Sequence, residues 1–141
     1  MSTNGDTIRR YWDLCWNERR TDLVGEIFAA PYLHGRTEAT PSDHAGIITE
    51  TVAAFPDLRI EVVDVEDLDA VVITRSRFTG THGGEIFGLR ATGRSMTAPS
   101  LDVFFFADER VERLWHQFDH LPILRGIGAE VRIGEQLADL E

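Results

Sequence analysis

Asp119 is the residue of this chain best placed to do chemistry. It closes the strand-like part of the run from Arg113 to Gly128, R-L-W-H-Q-F-D-H-L-P-I-L-R-G-I-G, just before a short helical segment. Successive strand side chains alternate, so Trp115, Gln117 and Asp119 share one face while His116 and Phe118 share the other. A carboxylate at the end of a half-buried strand is costly unless it is paired, hydrated or used. In an apolar hollow it would lose hydration and hold its proton more tightly. That brings it closer to neutral pH, where it can both take and give a proton. Such a group suits proton removal from a carbon beside a carbonyl. Asp119 also precedes a helical turn, whose free N–H groups it can cap. The two roles are compatible.

Other side chains could share that work. His82, where a strand runs into a glycine-rich turn, and His34, after a short strand, are candidates to hydrogen-bond a substrate oxygen. Asp102 lies inside a later strand and is a second candidate carboxylate. If it faces the same hollow as Asp119, the two would hold their protons with unlike affinities. Trp115, Trp16, Tyr32 and Phe104 are aromatic candidates for the pocket wall, and Gln117 shares the face of Asp119. Most aromatics are expected in the core, because each buries a large area. His116 faces away from Asp119 and reads as a packing or interface residue. His44 and His120 read as exposed residues near helix starts. Arg75 and Arg77 read as solvated or paired with Glu61.

Composition excludes several classes. The chain has 141 residues, a net charge of −10 and a single cysteine, Cys15. This length fits one domain, residues 1–141, with a polar tail from 128 to 141. A strongly acidic chain is a poor nucleic-acid binder. One cysteine makes no internal disulfide and removes cysteine-based zinc sites. All 14 basic residues are arginine, so Schiff-base chemistry, pyridoxal-phosphate attachment and a P-loop lysine are ruled out. No metal and no cofactor are expected. The first 25 residues carry many charges and no run is long enough to span a membrane, so a cytoplasmic protein is expected.

The elements that position these residues follow from periodicity. Helical spacing predicts helices over 6–18, with Asp6 as a candidate N-cap, over 21–29, ended by Pro31, and over 43–54, capped by Ser42. A short strand covers 32–34, and 35–41 reads as a polar stretch. From Leu58 the period changes to two. Strands are predicted over 58–66, 70–81, 94–107 and 110–118, with a short strand inside 82–93 and a helix over 120–127. Helices first and antiparallel hairpins after make an α+β fold: a curved sheet with helices on one face.

Four segments, in order, carry a resemblance. They are Trp16-Asn17 with Pro31-Tyr32-Leu33-His34; Ala54-Phe55-Pro56-Asp57-Leu58; Thr79-Gly80-Thr81-His82-Gly83-Gly84-Glu85 with Gly88 and Thr92-Gly93-Arg94; and Val111-Glu112-Arg113-Leu114-Trp115 through Phe118-Asp119 to Leu124 and Gly128. The chain resembles the SnoaL-like polyketide cyclases of the nuclear transport factor 2-like superfamily. The resemblance implies a cone-shaped α+β barrel: a strongly curved, mostly antiparallel sheet wrapped by about three N-terminal helices around an internal pocket. It implies ring closure without metal or organic cofactor, with the position of Asp119 as general acid/base. Two stretches depart from the family pattern and make the site more apolar. Leu114 stands where the family often has histidine, and Phe104-Phe105-Phe106 where relatives often carry a polar or basic side chain.

The resulting expectation is a cofactor-independent cyclase or isomerase acting on a hydrophobic polyketide-like intermediate. Asp119 would move the proton and His82 or His34 would stabilise the developing oxyanion. An epoxide-opening cyclase or hydrolase, a cofactor-free hydroxylase, and a non-catalytic ligand-binding or dimerisation module are the alternatives on the same fold. A homodimer through the exposed sheet face is expected.

Overall fold

The computed structural model describes residues 3–130. The period-two pattern governs the second half of the chain. In β4 (Val71–Thr81) and β5 (Ser95–Ala107) the even-numbered residues turn inward: Val72, Thr74, Ser76 and Phe78 on one strand, Met96 to Phe106 on the other. Together with β1 (Phe28–His34), β2 (Thr37–Ala39), β3 (Arg59–Asp67) and β6 (Arg110–Phe118) they build one curved, unclosed sheet in the order β2-β1-β6-β5-β4-β3. Every pairing is antiparallel except β1 with β6, which is parallel. Its inner face is covered by α1 (Asn4–Arg10), a π-helical segment (Tyr11–Asn17), α2 (Val24–Ile27) and α3 (Pro41–Ala54), and α4 (Leu121–Gly126) follows β6. The α+β class and the curved sheet wrapped by helices agree with the sequence reading.

Local chemistry moved several boundaries. The first helix becomes π-helical at Tyr11, and this widened turn lets Tyr11, Trp12, Cys15 and Trp16 all bury. The second helix stops at Ile27, because Phe28 is already extended. Pro31 therefore sits inside β1, where the β1–β6 register is irregular between Phe28 and Leu33 and its missing N–H breaks no regular ladder. Residues 37–39 form β2 and pair with β1. Thr40, not Ser42, caps α3: its hydroxyl accepts from the Asp43 N–H at 3.1 Å while the Asp43 carboxylate accepts from the Thr40 N–H at 2.9 Å. Thr3, not Asp6, precedes α1. Between 82 and 93 only an isolated Ile86–Leu89 bridge forms. The predicted tail lies mostly in 131–141, outside the described residues.

The segments that carry the resemblance act largely as backbone clamps. The Asn17 side chain binds both main-chain groups of Ile60, at 2.8 and 2.7 Å, and so fixes the helical layer to the start of β3. Asp57 accepts from the Thr81 N–H and hydroxyl, both at 2.7 Å. Those bonds hold its carboxyl below the usual carboxylate range. Gly84 lies so close to α3 that a Cβ there would stand 2.1 Å from the Ala53 carbonyl oxygen. Among the described residues no helix is long and apolar enough to cross a membrane.

Candidate active site

Among the described residues, the inner face of the sheet carries one buried carboxylate. Asp102 faces inward from β5, 1% exposed, directly across the ladder from His116 on β6. Its Oδ2 lies 2.6 Å from His116 Nδ1. Its Oδ1 accepts from the Ser100 hydroxyl at 2.5 Å. A buried carboxylate with both oxygens engaged is compensated, which is the condition for keeping it there. With Asp102 ionised, His116 Nδ1 must carry the proton that bonds it, so Nε2 is the nitrogen left to accept one. The His116 side chain is 34% exposed.

Both residues line a cavity of about 280 Å³ between the sheet, the π segment and α3. Trp12, Trp16, Phe55 and Phe78 form much of its apolar wall, and Ile47, Phe87 and His120 stand at partly exposed positions around it. An aromatic ladder leads away from the pair. His116 stacks on Phe118, with ring centroids 5.7 Å apart, and Phe118 meets His120 edge-on at 5.3 Å. His34 lines the same cavity. It pairs across the parallel β1–β6 ladder with Leu114, which precedes His116 on the same inner face. Burial, and then the nearby His116, lower the proton affinity of His34, while Asp102 opposes them.

The other expected site residues fall elsewhere. Asp119 is exposed on the opposite face of the sheet, and its Oδ1 accepts from the Leu121 N–H at 3.1 Å. The expectation of an enclosed Asp119 is therefore corrected: side chains alternate from Leu114 to Asp119 as expected, but the β5–β6 pairing slips by one residue at Glu112, and the face turned inward is that of Leu114, His116 and Phe118. Gln117 follows Asp119 to an outer groove of about 500 Å³, beside Arg75, Arg77 and Leu101. Trp115 is half-buried on that side, with the Arg113 guanidinium 5.7 Å from its ring centroid. Arg77 reaches Glu61 at 3.6 Å, and Arg75 pairs with Asp64. His82 is fully buried but off the cavity wall; its Nδ1 meets the Thr92 hydroxyl at 3.0 Å. Phe104 is core, packed on Tyr11, Trp12 and Phe28. Trp16 lines the cavity, whereas Tyr32 lies behind it, hydrogen-bonded to His34 at 3.1 Å.

Two histidines differ from expectation. His116 partners the buried Asp102 rather than serving as a packing or interface residue. His44, expected at the surface, is 2% exposed and held neutral by burial, its pKa lowered to about 3. Asp102 within an alternating apolar strand was the available signal for the pair, since its partner is whatever lies opposite on β6. His116 and His120 are four residues apart but straddle the end of β6. Among the described residues no group of three or more His, Cys, Asp or Glu side chains is placed to hold a metal ion.

Comparison with known proteins matches this architecture. The family model for SnoaL-like polyketide cyclases covers residues 6–127. The aklanonic acid methyl ester cyclase DnrD of Streptomyces peucetius is 26% identical over 135 residues, covering 91% of this chain and 92% of that protein. Among solved structures, TsrD of Streptomyces laurentii superposes with a TM-score of 0.80 at 21% identity, over 89% of this chain and 94% of the other. A SnoaL-like polyketide cyclase of Agrobacterium tumefaciens superposes with a TM-score of 0.79 at 23% identity, over 91% and 100%. With a fold of this family, an inward carboxylate–imidazole pair and a matching profile along nearly its whole length, the chain belongs to the SnoaL-like polyketide cyclase family.

Proposed function

We propose that this protein is a polyketide cyclase that closes a ring by an aldol-type step, with His116 as the acid/base and Asp102 as the carboxylate behind it. The observation that carries this reading is the 2.6 Å contact between Asp102 and His116 at the wall of an apolar cavity. His116 Nε2 takes a proton from a carbon beside a ketone. The electron pair left on that carbon forms a bond to a second carbonyl carbon. The second carbonyl becomes an alkoxide, which recovers the proton from His116. Atoms and electrons balance within one substrate, so the step is a net isomerisation that needs no external oxidant or reductant. Asp102 compensates the positive charge that His116 acquires midway and holds the ring in the tautomer that leaves Nε2 free. His34 supplies a hydrogen bond to the alkoxide.

The cavity supports a hydrophobic, flat ligand. Its volume of about 280 Å³ lies near the small end for ligand sites. It would hold the reacting end of a polyketide chain, while the remainder leaves past Phe87 and Ile47. Apolar walls would fold the chain so that the two reacting carbons meet. Asp102 is poorly set to attack an epoxide directly, because both its oxygens are engaged. A second copy is expected on the outer sheet face, where Val63 and Leu101 are 41% and 43% exposed.

The test uses a synthetic ketone-bearing polyketide or a methyl ester mimic, with ring closure followed by absorbance and mass. Ring closure at unchanged mass, lost in Asp102→Asn and His116→Gln while the fold is retained, supports the reading. Turnover that survives both changes within a few fold would overturn it.

A further inference from the structure

Behind His34 runs a continuous chain of buried hydrogen bonds. Trp16 Nε1 lies 2.8 Å from the Tyr11 hydroxyl. That hydroxyl is 2.7 Å from His44 Nε2, and His44 Nδ1 is 2.7 Å from the Tyr32 hydroxyl. The Tyr32 hydroxyl ends the chain 3.1 Å from His34 Nδ1. Trp16, Tyr11, His44 and Tyr32 are all at most 6% exposed. Three elements contribute: the π segment, α3 and β1.

The chain has one permitted direction. An indole N–H can only donate, so the Tyr11 oxygen accepts from Trp16. The Tyr11 proton then goes to its other partner, His44 Nε2. A neutral imidazole carries one N–H, so with Nε2 accepting, His44 Nδ1 donates to Tyr32. The Tyr32 proton is left for His34 Nδ1. Reversing any link would strand a phenolic proton in the interior with no acceptor, which costs more than the bond itself gains. Burial keeps His44 from taking a second proton. His34 Nδ1 therefore accepts, and the single N–H of His34 sits on Nε2. That nitrogen has no hydrogen-bond partner among the described residues, and His34 lines the cavity.

We propose that Trp16, through this one-way relay, locks His34 as a neutral imidazole that offers Nε2–H to an oxygen atom of the bound ligand. The ligand half of this inference rests on the cyclase reading above; the tautomer half stands on the relay alone. Trp16, Tyr11, His44 and Tyr32 are positioning residues that set which nitrogen faces the reaction. The ionisable groups around His34 are Tyr32 on its own strand, His44 on α3, Asp102 on β5 and His116 on β6. The two cavity histidines thereby take different parts. His116, backed by a carboxylate, gains and loses a proton, whereas His34, backed by a phenol that donates to it, stays neutral. A fixed neutral donor stabilises a growing oxyanion without surrendering its proton and without reorganising.

The test is a long-range ¹H–¹⁵N spectrum of ligand-free protein carrying ¹⁵N-histidine, recorded from pH 5.5 to 8. The lock gives His34 as a single neutral Nε2–H tautomer over that range. A His34 that is cationic at pH 7, or carries its proton on Nδ1, overturns the inference with no variant needed. Tyr32→Phe keeps the ring volume and cuts the last link, away from the cavity wall. It is expected to give mixed His34 tautomers, a higher His34 pKa, and kcat lower by about 10- to 100-fold with KM nearly unchanged. Mixed tautomers with unaltered kcat overturn the ligand half alone. Loss of turnover in Tyr32→Phe while Asp102→Asn remains active would instead sink the cyclase reading and leave the relay standing.

Discussion

Asp102 and Asp119 stand on opposite faces of the same two-strand ribbon and live in different solvents. Asp102 is 1% exposed, with a hydroxyl and an imidazole on its two oxygens. Asp119 is exposed, and accepts one main-chain N–H at the start of α4. The same carboxylate therefore acts inside as a charge that demands a partner and outside as a hydrated acceptor for one N–H of the turn that leads into α4. Each role follows from which way a strand residue points. The basic partners differ in the same sense. His116 meets its buried carboxylate at the cavity wall, with only its outer part reaching solvent, whereas Arg75 and Arg77 meet Asp64 and Glu61 in water, where side chains more than half exposed gain little from pairing. Chemistry in this fold is expected on the face where a lone charge is expensive.

The sharpest way to break that contrast is to swap isosteres on the two faces. Asp102→Asn should lower ring-closure turnover by about 10³-fold, since the amide presents the wrong hydrogen-bond pattern to His116. His116→Gln should lower it by about 10²-fold. Single-turnover rates with circular dichroism as a folding control decide both, and a loss under fivefold in either would return the acid–base role to another residue. The interior also imposes a pH signature. His44 is held at about 3 in the fold, so below about pH 6.5 the unfolded chain binds a proton that the folded one refuses. Stability is then full above about pH 6.5 and falls as the pH drops toward 3. Between pH 6.5 and 4.5 the loss should be about 2 kcal/mol from urea midpoints, and His44→Gln should flatten it.

On the outer face the effects should be smaller and of another kind. Asp119→Ala should cost about 1 kcal/mol or less of stability through the lost hydrogen bond from the Leu121 N–H, visible as a lower melting temperature. Turnover should stay within about threefold, below the range expected for a lost acid–base group. A hundredfold loss of turnover at unchanged stability would reverse the assignment of the two carboxylates. Least of all, Arg75→Gln should change stability by about 0.5 kcal/mol or less and leave turnover alone.

Much of the scaffold was legible in the residues. The period-two runs locate β3, β4, β5 and β6 nearly to the residue, whereas the clamping contacts of Asn17, Asp57 and Gly84 emerge only in the fold. What could not be read was which face of β6 turns inward. Counting back from the Asp108–Glu109 turn, where Ala107 pairs with Arg110, a strict register sets Asp102 opposite Trp115. A bulge between Phe105 and Phe106 shifts the pairing by one, to His116. A one-residue slip exchanges the two faces of a strand, and nothing local in Val111-Glu112-Arg113 announces it. His44 was misread for a related reason. It shares a helix face with buried Ile48, four residues on, but the partners that justify burying an imidazole, Tyr11 and Tyr32, come from other elements.

The parallel seam between β1 and β6 joins opposite ends of the polypeptide. His34 and His116 are 82 residues apart in sequence, and such long-range closure is slow to form. Ribosome-bound or truncated chains lacking Arg110–Phe118 would hold neither the imidazole pair nor a wall for the hollow. Activity is thus a late and all-or-none report of maturation, and two fragments divided in the 85–94 loop should be silent apart and regain turnover when mixed.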